Sequence, residues 1–535
     1  MMRDVLAYAE FEGFWERFRP ETPFGREDKE RLTVHADAET LTILWDRTDC
    51  VLAFLKTLER DEVRLNRISH HLKRIPRFPE EAHPVYDEVE IFQFKKFLHN
   101  YRSIRELLDP EVQRVFGFDY LSEPFEKLLD MGRQSAESFY VVDEYSEDLA
   151  RVRAEIRTTD ESIGAVRGRR SREIQARWGL EFGFKDFLLV ERTLLGDVQA
   201  ASELLLVEPY DETKYAIRPL RCAEELVLAE RRMSLLSRER SCEEEVLERL
   251  SRAARQELPR FLEYRDAVKG FDLALARARL AREYRLVRPV VGKGVIHIEE
   301  GRFVPCEEMC AALATPYTPL DAELHERITV VFGSNMGGKT VVLKTLAFLQ
   351  LCAQTGLFVP ARRFETQVFH HFHYLGEGQA REAVQGLSGF GFEIRQLTRA
   401  WDTFSAPTLA LFDEFARTTS SHEAEAIISA VMEAMAGNPA VTALFSTHFR
   451  GVRRLSGVRY VRMKGLDRTG LDFREAEGVS LDERIRLINK HMEHRLVPDD
   501  ETQTVSDAIA VAVLLGMDGE VARRAEQFFQ TRAQE

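Results

Sequence analysis

No stretch of the 535-residue chain approaches the roughly eighteen consecutive apolar residues that span a bilayer, so a membrane-spanning helix is not expected. The opening segment, MMRDVLAYAEFEGF, holds acids early and lacks a basic start followed by an apolar core. It reads as no signal peptide, and a cytoplasmic location is the expectation. Cysteine is sparse: six residues, Cys50, Cys222, Cys242, Cys306, Cys310 and Cys352, are scattered along the chain. That scatter argues for reduced thiols over a disulfide framework, and Cys306 with Cys310 alone make a poor metal site. Low-complexity tracts and internal repeats are absent. Positive charge is in deficit, with 75 Lys and Arg against 89 Asp and Glu, a net charge of -14. This opposes non-specific attraction to nucleic acid but leaves room for a local basic face.

What is present suggests about two to four domains, each able to bury a core. Residues 1–30 hold aromatics and a turn at Pro20 to Gly25, and read as an N-terminal cap. Residues 31–290 are mostly helical, with apolar positions recurring at three and four, as at Leu52, Leu55 and Leu58. Within them, 136–177 reads as one long charged helix carrying Arg167, Arg169, Arg170, Arg172 and Arg177. A small insert at about 183–218 holds two short strands near 187–190 and 204–207. Helix resumes over 220–286, punctuated by Pro259 and Gly270. Residues 291–490 alternate strand and helix, and 491–535 end in apolar helices at 508–515 and 521–529 joined by Gly516.

The chemistry gathers at residues 328–340. The apolar, β-branched run Ile328 to Phe332 enters Gly333-Ser334-Asn335-Met336-Gly337-Gly338-Lys339-Thr340, which fits GxxxxGK[ST], and helical spacing follows from Val341 to Leu351. In such a P-loop the backbone N–H groups turn onto the phosphates of ATP, Lys339 supplies charge near the β and γ phosphates, and Thr340 offers its hydroxyl to Mg²⁺. A second buried strand, Thr408 to Phe412, delivers Asp413 for Mg²⁺ and Glu414 as the base that polarises water. A third, Ala443 to Ser446, delivers Thr447 and His448 to the same edge, where an imidazole can sense the γ phosphate.

GSNMGGKT, DEFARTTSS and STHF together resemble the ATPase domain of the MutS family of DNA mismatch-repair proteins. Ser388-Gly389-Phe390-Gly391-Phe392-Glu393 is similar to the family's Ser-x-Phe-x-x-Glu segment, and 506–516 to its C-terminal helical dimer contact. The resemblance implies mostly α core and lever domains, with a clamp-like insert at about 183–218. After them come an α/β P-loop (ABC-like) ATPase domain at 291–490 and a helical dimerisation element at 491–535. It further implies a homodimer with composite ATP sites, Ser388 reaching the partner's nucleotide, and Phe303 stacking on adenine. Three positions depart from the family: Ala416 and Thr418 stand where it usually has glycine, and Arg288 where it has histidine. Phe14-Trp15-Glu16 has the spacing of the family's base-wedging motif, but the domain that presents that wedge is not readable here, so it is taken as a chance match.

Two functions of different class follow. The first is a dimeric ATPase whose helical arms open and close around duplex or branched DNA without reading mismatches, the five arginines meeting phosphates. The second is an ATP-driven protein-remodelling subunit, similar to the MutS-like subunits associated with reactivating lysine aminomutase, which holds a protein client. The acidic net charge favours the second, and the family resemblance favours the first.

Overall fold

The computed structural model describes residues 2–133, 135, 137–182, 187–191, 193, 204–292, 294, 296–333, 337–376, 389–467, 479–499 and 507–532. They group into two compact units, one drawn from residues 1–65, 109–116 and 269–535, the other from 66–108 and 117–268. The domain edges read from the sequence at 30/31 and 290/291 both fall inside the first unit.

The second unit is helical apart from a three-stranded antiparallel sheet of β1 (Leu188–Glu191), β2 (Leu205–Pro209) and β3 (Lys214–Pro219), in the order β1-β3-β2. Its charged helix begins at Glu147, eleven residues later than the sequence suggests, because the Ser146 side chain caps the backbone N–H of Leu149. It ends at Trp178, where Gly179 takes the left-handed conformation. The helix Ala223–Tyr284 runs unbroken through Pro259, which the sequence reading had taken as a breaker. A proline inside a helix costs roughly 3 kcal/mol. Packing beside it offsets that cost: the Phe261 ring lies 4.9 Å from Phe94 and 5.4 Å from Phe78, and Tyr264 stacks 4.4 Å from Tyr101.

The first unit holds two sheets. The smaller joins β4 (Val290–Val291), β5 (Ile296–Gly301), β6 (Leu320–Leu324) and β8 (Arg363–Thr366) in the order β4-β8-β5-β6. The larger is built from β7 (Ile328–Phe332), β9 (His371–Gly376), β10 (Thr408–Asp413), β11 (Val441–Thr447), β12 (Val458–Leu466) and β13 (Met492–Pro498), in the order β13-β12-β7-β11-β10-β9. Its strands are parallel except β13. Every residue of β7, β10 and β11 is buried, as expected of strands covered on both faces. Val331, Leu409, Leu411 and Leu444 pack with the helix Lys339–Gln354. Ile328, Val330, Phe412 and Phe445 pack with Ser421–Ala436. Period-two alternation thus sends each strand's side chains into two different cores.

Apolar residues of the segment 2–30 belong to this core. Phe11 and Phe14 set their rings edge-on to Phe348 at 5.9 and 5.1 Å, and Trp15 and Phe18 are buried beside them. Rings committed to a core cannot insert between bases, in keeping with the chance reading of Phe14-Trp15-Glu16.

Candidate functional site

Parallel strands present their carboxyl ends on one edge of a sheet, where ligands of open α/β sheets bind. In the larger sheet β7 ends at Phe332, one residue before Gly333, β10 ends at Asp413, and β11 leads to His448. Register fixes the rest: Asp413 lies opposite Ser446, and Phe332 opposite Thr447.

Asp413 is buried and accepts from three hydroxyl donors. Its Oδ1 accepts from Ser446 Oγ at 2.5 Å and from Thr340 Oγ1 at 3.2 Å, and its Oδ2 accepts from the Tyr8 hydroxyl at 3.2 Å. Burial, with the Asp413 charge adding to it, pushes the Tyr8 phenol well above its ordinary value and keeps it a donor. Next to this cluster, the buried Lys339 ammonium donates to the Gly333 carbonyl at 2.8 Å and pairs with Glu414 Oε1 at 2.9 Å. Glu414 Oε2 accepts from His448 Nδ1. Burial acts to raise the Glu414 pKa, but the hydrogen bonds and charges of His448 and Lys339 outweigh it and hold the carboxyl below the usual glutamate range.

The backbone after β10 is strained, with Glu414 at φ 52 and Ala416 at φ 63. Left-handed conformations disfavour side chains other than glycine. At Ala416 the strain is met by an anchor, its N–H donating to the buried Glu393 carboxylate at 2.8 Å. Glycine is required at 338, where φ is 91 and a Cβ would stand 3.1 Å from His494 Nδ1. That imidazole donates from Nδ1 to the Gly337 carbonyl at 3.2 Å. Beside them opens a cavity of about 110 Å³, lined by Tyr317, Val341, Thr345, Met463 and His494, with Cys306 and Cys310 at its wall. Burial beside Cys310 raises the Cys306 thiol to about 11.

Gly333, Gly337, Gly338, Lys339, Thr340, Asp413, Glu414 and His448 therefore converge. Ser334, Asn335, Met336 and Ser388 lie outside the described residues. Phe303 is buried, its ring edge-on to Phe348 at 5.6 Å and its N–H donating to the Tyr317 hydroxyl at 2.7 Å, and Tyr317 lines the cavity. Arg288, one of the departures, pairs with Asp46 at 2.7 Å and Asp49 at 2.6 Å. The five arginines lie in the second unit, on Glu147–Trp178. Arg167 is paired with Glu225 at 2.8 Å, Arg169 with Glu224 at 2.9 Å, and the Arg177 guanidinium lies 4.8 Å from the Trp178 ring.

Sequence reasoning singled out the segment ending in Glu393 but missed Tyr8, Tyr317, Ser446 and His494 as site residues. Ser446 was within reach, since it closes an apolar strand directly before Thr447-His448. Tyr8 and His494 arrive from segments with no local signal.

Residues 329–531 match the family model described as MutS domain V. The chain is similar to proteins named DNA mismatch repair protein MutS. It is 30% identical over 305 residues to that of Nitratidesulfovibrio vulgaris (strain DP4), and 28% over 297 residues to that of Lactobacillus delbrueckii subsp. bulgaricus. The relative from Listeria monocytogenes serotype 4a is 26% identical over 209 residues. These stretches cover 56%, 55% and 38% of the chain, and 32%, 32% and 24% of the relatives' own lengths. The strand-end carboxylates and the glycine-rich segment lie inside the matched residues, so this part of the chain is similar to MutS domain V.

Proposed function

We propose that the first unit binds and hydrolyses ATP with Mg²⁺, and that a homodimer of the chain couples this cycle to opening and closing its helical arms around DNA. The observation that carries the reading is the pairing, at one sheet edge, of a buried lysine held by the strand-end carboxylate Glu414 with a second carboxylate, Asp413, bonded to the Thr340 hydroxyl. The residues fit the group. Lys339 begins the helix Lys339–Gln354, whose N-terminal N–H groups favour an anion, and Asp413 with Thr340 offers the hard oxygens that Mg²⁺ takes. Bound Mg²⁺ would neutralise charge developing on the phosphates. Lys339 would exchange Glu414 for phosphate oxygens, freeing that carboxylate to orient water and accept its proton, with His448 fixing its direction. The cavity beside Gly338, with Tyr317 and His494 in its wall, suits the base.

Dimerisation draws support from the helices Asp507–Leu514 and Gly519–Arg532 and the turn between them, where Leu515, Met517, Val521, Phe528 and Phe529 are exposed. Ser388 would complete the partner's site. The DNA reading rests on the names of the relatives and on the arginines of the second unit. Among the described residues no helix is long and apolar enough to cross a membrane, and the proposed place of action is the cytoplasm. A protein client is the second reading, favoured by the pairing of Arg167 and Arg169 with glutamates in a chain of net charge -14. Phosphate release with and without Mg²⁺ tests the ATPase. Binding to duplex, branched and mismatched DNA across a salt series, with and without ATP, tests the target, and no binding even at low salt selects the protein client.

A further inference from the structure

The helix Met2–Tyr8 ends on the metal carboxylate. We propose that Tyr8 is a positioning residue for Mg²⁺, its phenol fixing Asp413 so that the chain's N-terminal segment is a working part of the ATPase site. This rests on the ATP and Mg²⁺ reading above.

A carboxylate offers about four acceptor directions. Ser446, Thr340 and Tyr8 account for three of them around Asp413, and Tyr8 alone of these three donates to Oδ2. The phenol also reaches the Thr340 carbonyl, at 3.4 Å, so one hydroxyl touches both residues read as metal-binding. Little freedom remains to it. The Tyr8 ring stacks on Tyr374 with centroids 3.9 Å apart and planes 21° apart, the Lys344 ammonium lies 5.6 Å from its centre, and Lys344 pairs with Glu10 at 2.6 Å. Phe11 and Phe14 pin the following turn to Phe348 on the helix that carries Lys339 and Thr340. A side chain held this firmly serves orientation, since burying a phenol is costly unless its hydroxyl is bonded. Hydrogen bonds to a ligating carboxylate typically matter about 10- to 100-fold in metal affinity.

The test uses the full chain and a fluorescent ATP analogue, titrated with Mg²⁺ after EDTA treatment. Tyr8→Phe keeps the stacked ring and removes the hydroxyl. It should raise the Mg²⁺ concentration at half-maximal tight binding about tenfold, a larger change than in metal-free binding, while the metal-free melting temperature falls modestly as one donor to a buried carboxylate is lost. Tyr8→Leu, a second hydroxyl-free side chain, should shift the same midpoint upward and serves if Tyr8→Phe folds poorly. A midpoint unchanged or lowered in the hydroxyl-free variants overturns the inference. If the unmodified chain itself binds the analogue without any Mg²⁺ dependence, the ATP and Mg²⁺ reading fails first, and the two failures are told apart.

Discussion

Charge is handled in opposite ways in the two units. In the first, Lys339, Asp413 and Glu414 are shielded from water and each is held by groups the fold supplies, so the ions are pre-aimed. In the second, Arg169 and its partner Glu224 both stand in solvent, 61 and 60% exposed, while the exposed Arg167 covers the buried Glu225. Buried ions are costly to keep and severe to unbalance, whereas exposed pairs contribute about 0–1 kcal/mol. The contrast separates a centre built for a ligand from a face whose charges are interchangeable with salt, and substitutions can sharpen or break it.

The largest effect is expected from Lys339→Ala, which leaves Glu414 without its cation. Turnover should vanish, and ATP affinity should fall by about 2–5 kcal/mol, measured by titration calorimetry. Normal turnover would break the contrast at its root. Glu414→Gln comes next: turnover should drop by about two to four orders of magnitude with ATP still bound. It should also flatten the acid limb of stability. Because the folded Glu414 pKa is depressed, its contribution is fully present above the ordinary value of 4.5 and is lost as pH falls through the folded value. Thermal melts from pH 6 downward should show the unmodified chain falling more steeply than the Gln variant.

On the more exposed side, replacing Arg169 and Arg172 with Gln should change stability by under about 1 kcal/mol, and adding the half-buried Arg170 as a third should cost more. If DNA is the target, the slope of log affinity against log salt should fall by about two units, short of the three contacts removed, because Glu224 already engages Arg169. An unchanged slope would take these arginines out of the interface. The smallest effect is Ala416→Gly. Relief of a left-handed alanine and the added freedom of glycine nearly cancel, leaving a gain under about 1 kcal/mol, read by denaturant titration.

The same contrast explains what could be read from the chain. Contiguous signals were legible: an apolar strand followed by a glycine turn and helical spacing, and acids directly after a buried run, led to Lys339, Thr340, Asp413 and Glu414. The matched residues and the alternation of strand and helix agree with that part of the fold. Groups delivered by tertiary packing were not legible. Tyr8 reaches Asp413 across 405 residues and His494 reaches Gly337 across 157, and no local period marks either. The packing of the Phe303 ring against Phe348, 45 residues away in sequence, was likewise not legible. Pro259 marked a break that aromatic packing overrode.

The bond from Tyr8 to Asp413 also sets a clock on the chain's birth. Ribosomes add about 5–20 residues per second, so the 405 residues between the two take about 20–80 s to make. Residues 66–108 and 117–268 are complete well before then, whereas Phe11, Phe14 and Trp15 wait for Phe348 to emerge. During that wait an aromatic cluster stays uncovered on the nascent polypeptide. Slowing translation before residue 348 should therefore lower soluble yield more than slowing it after residue 413, when the cluster's partner has already emerged.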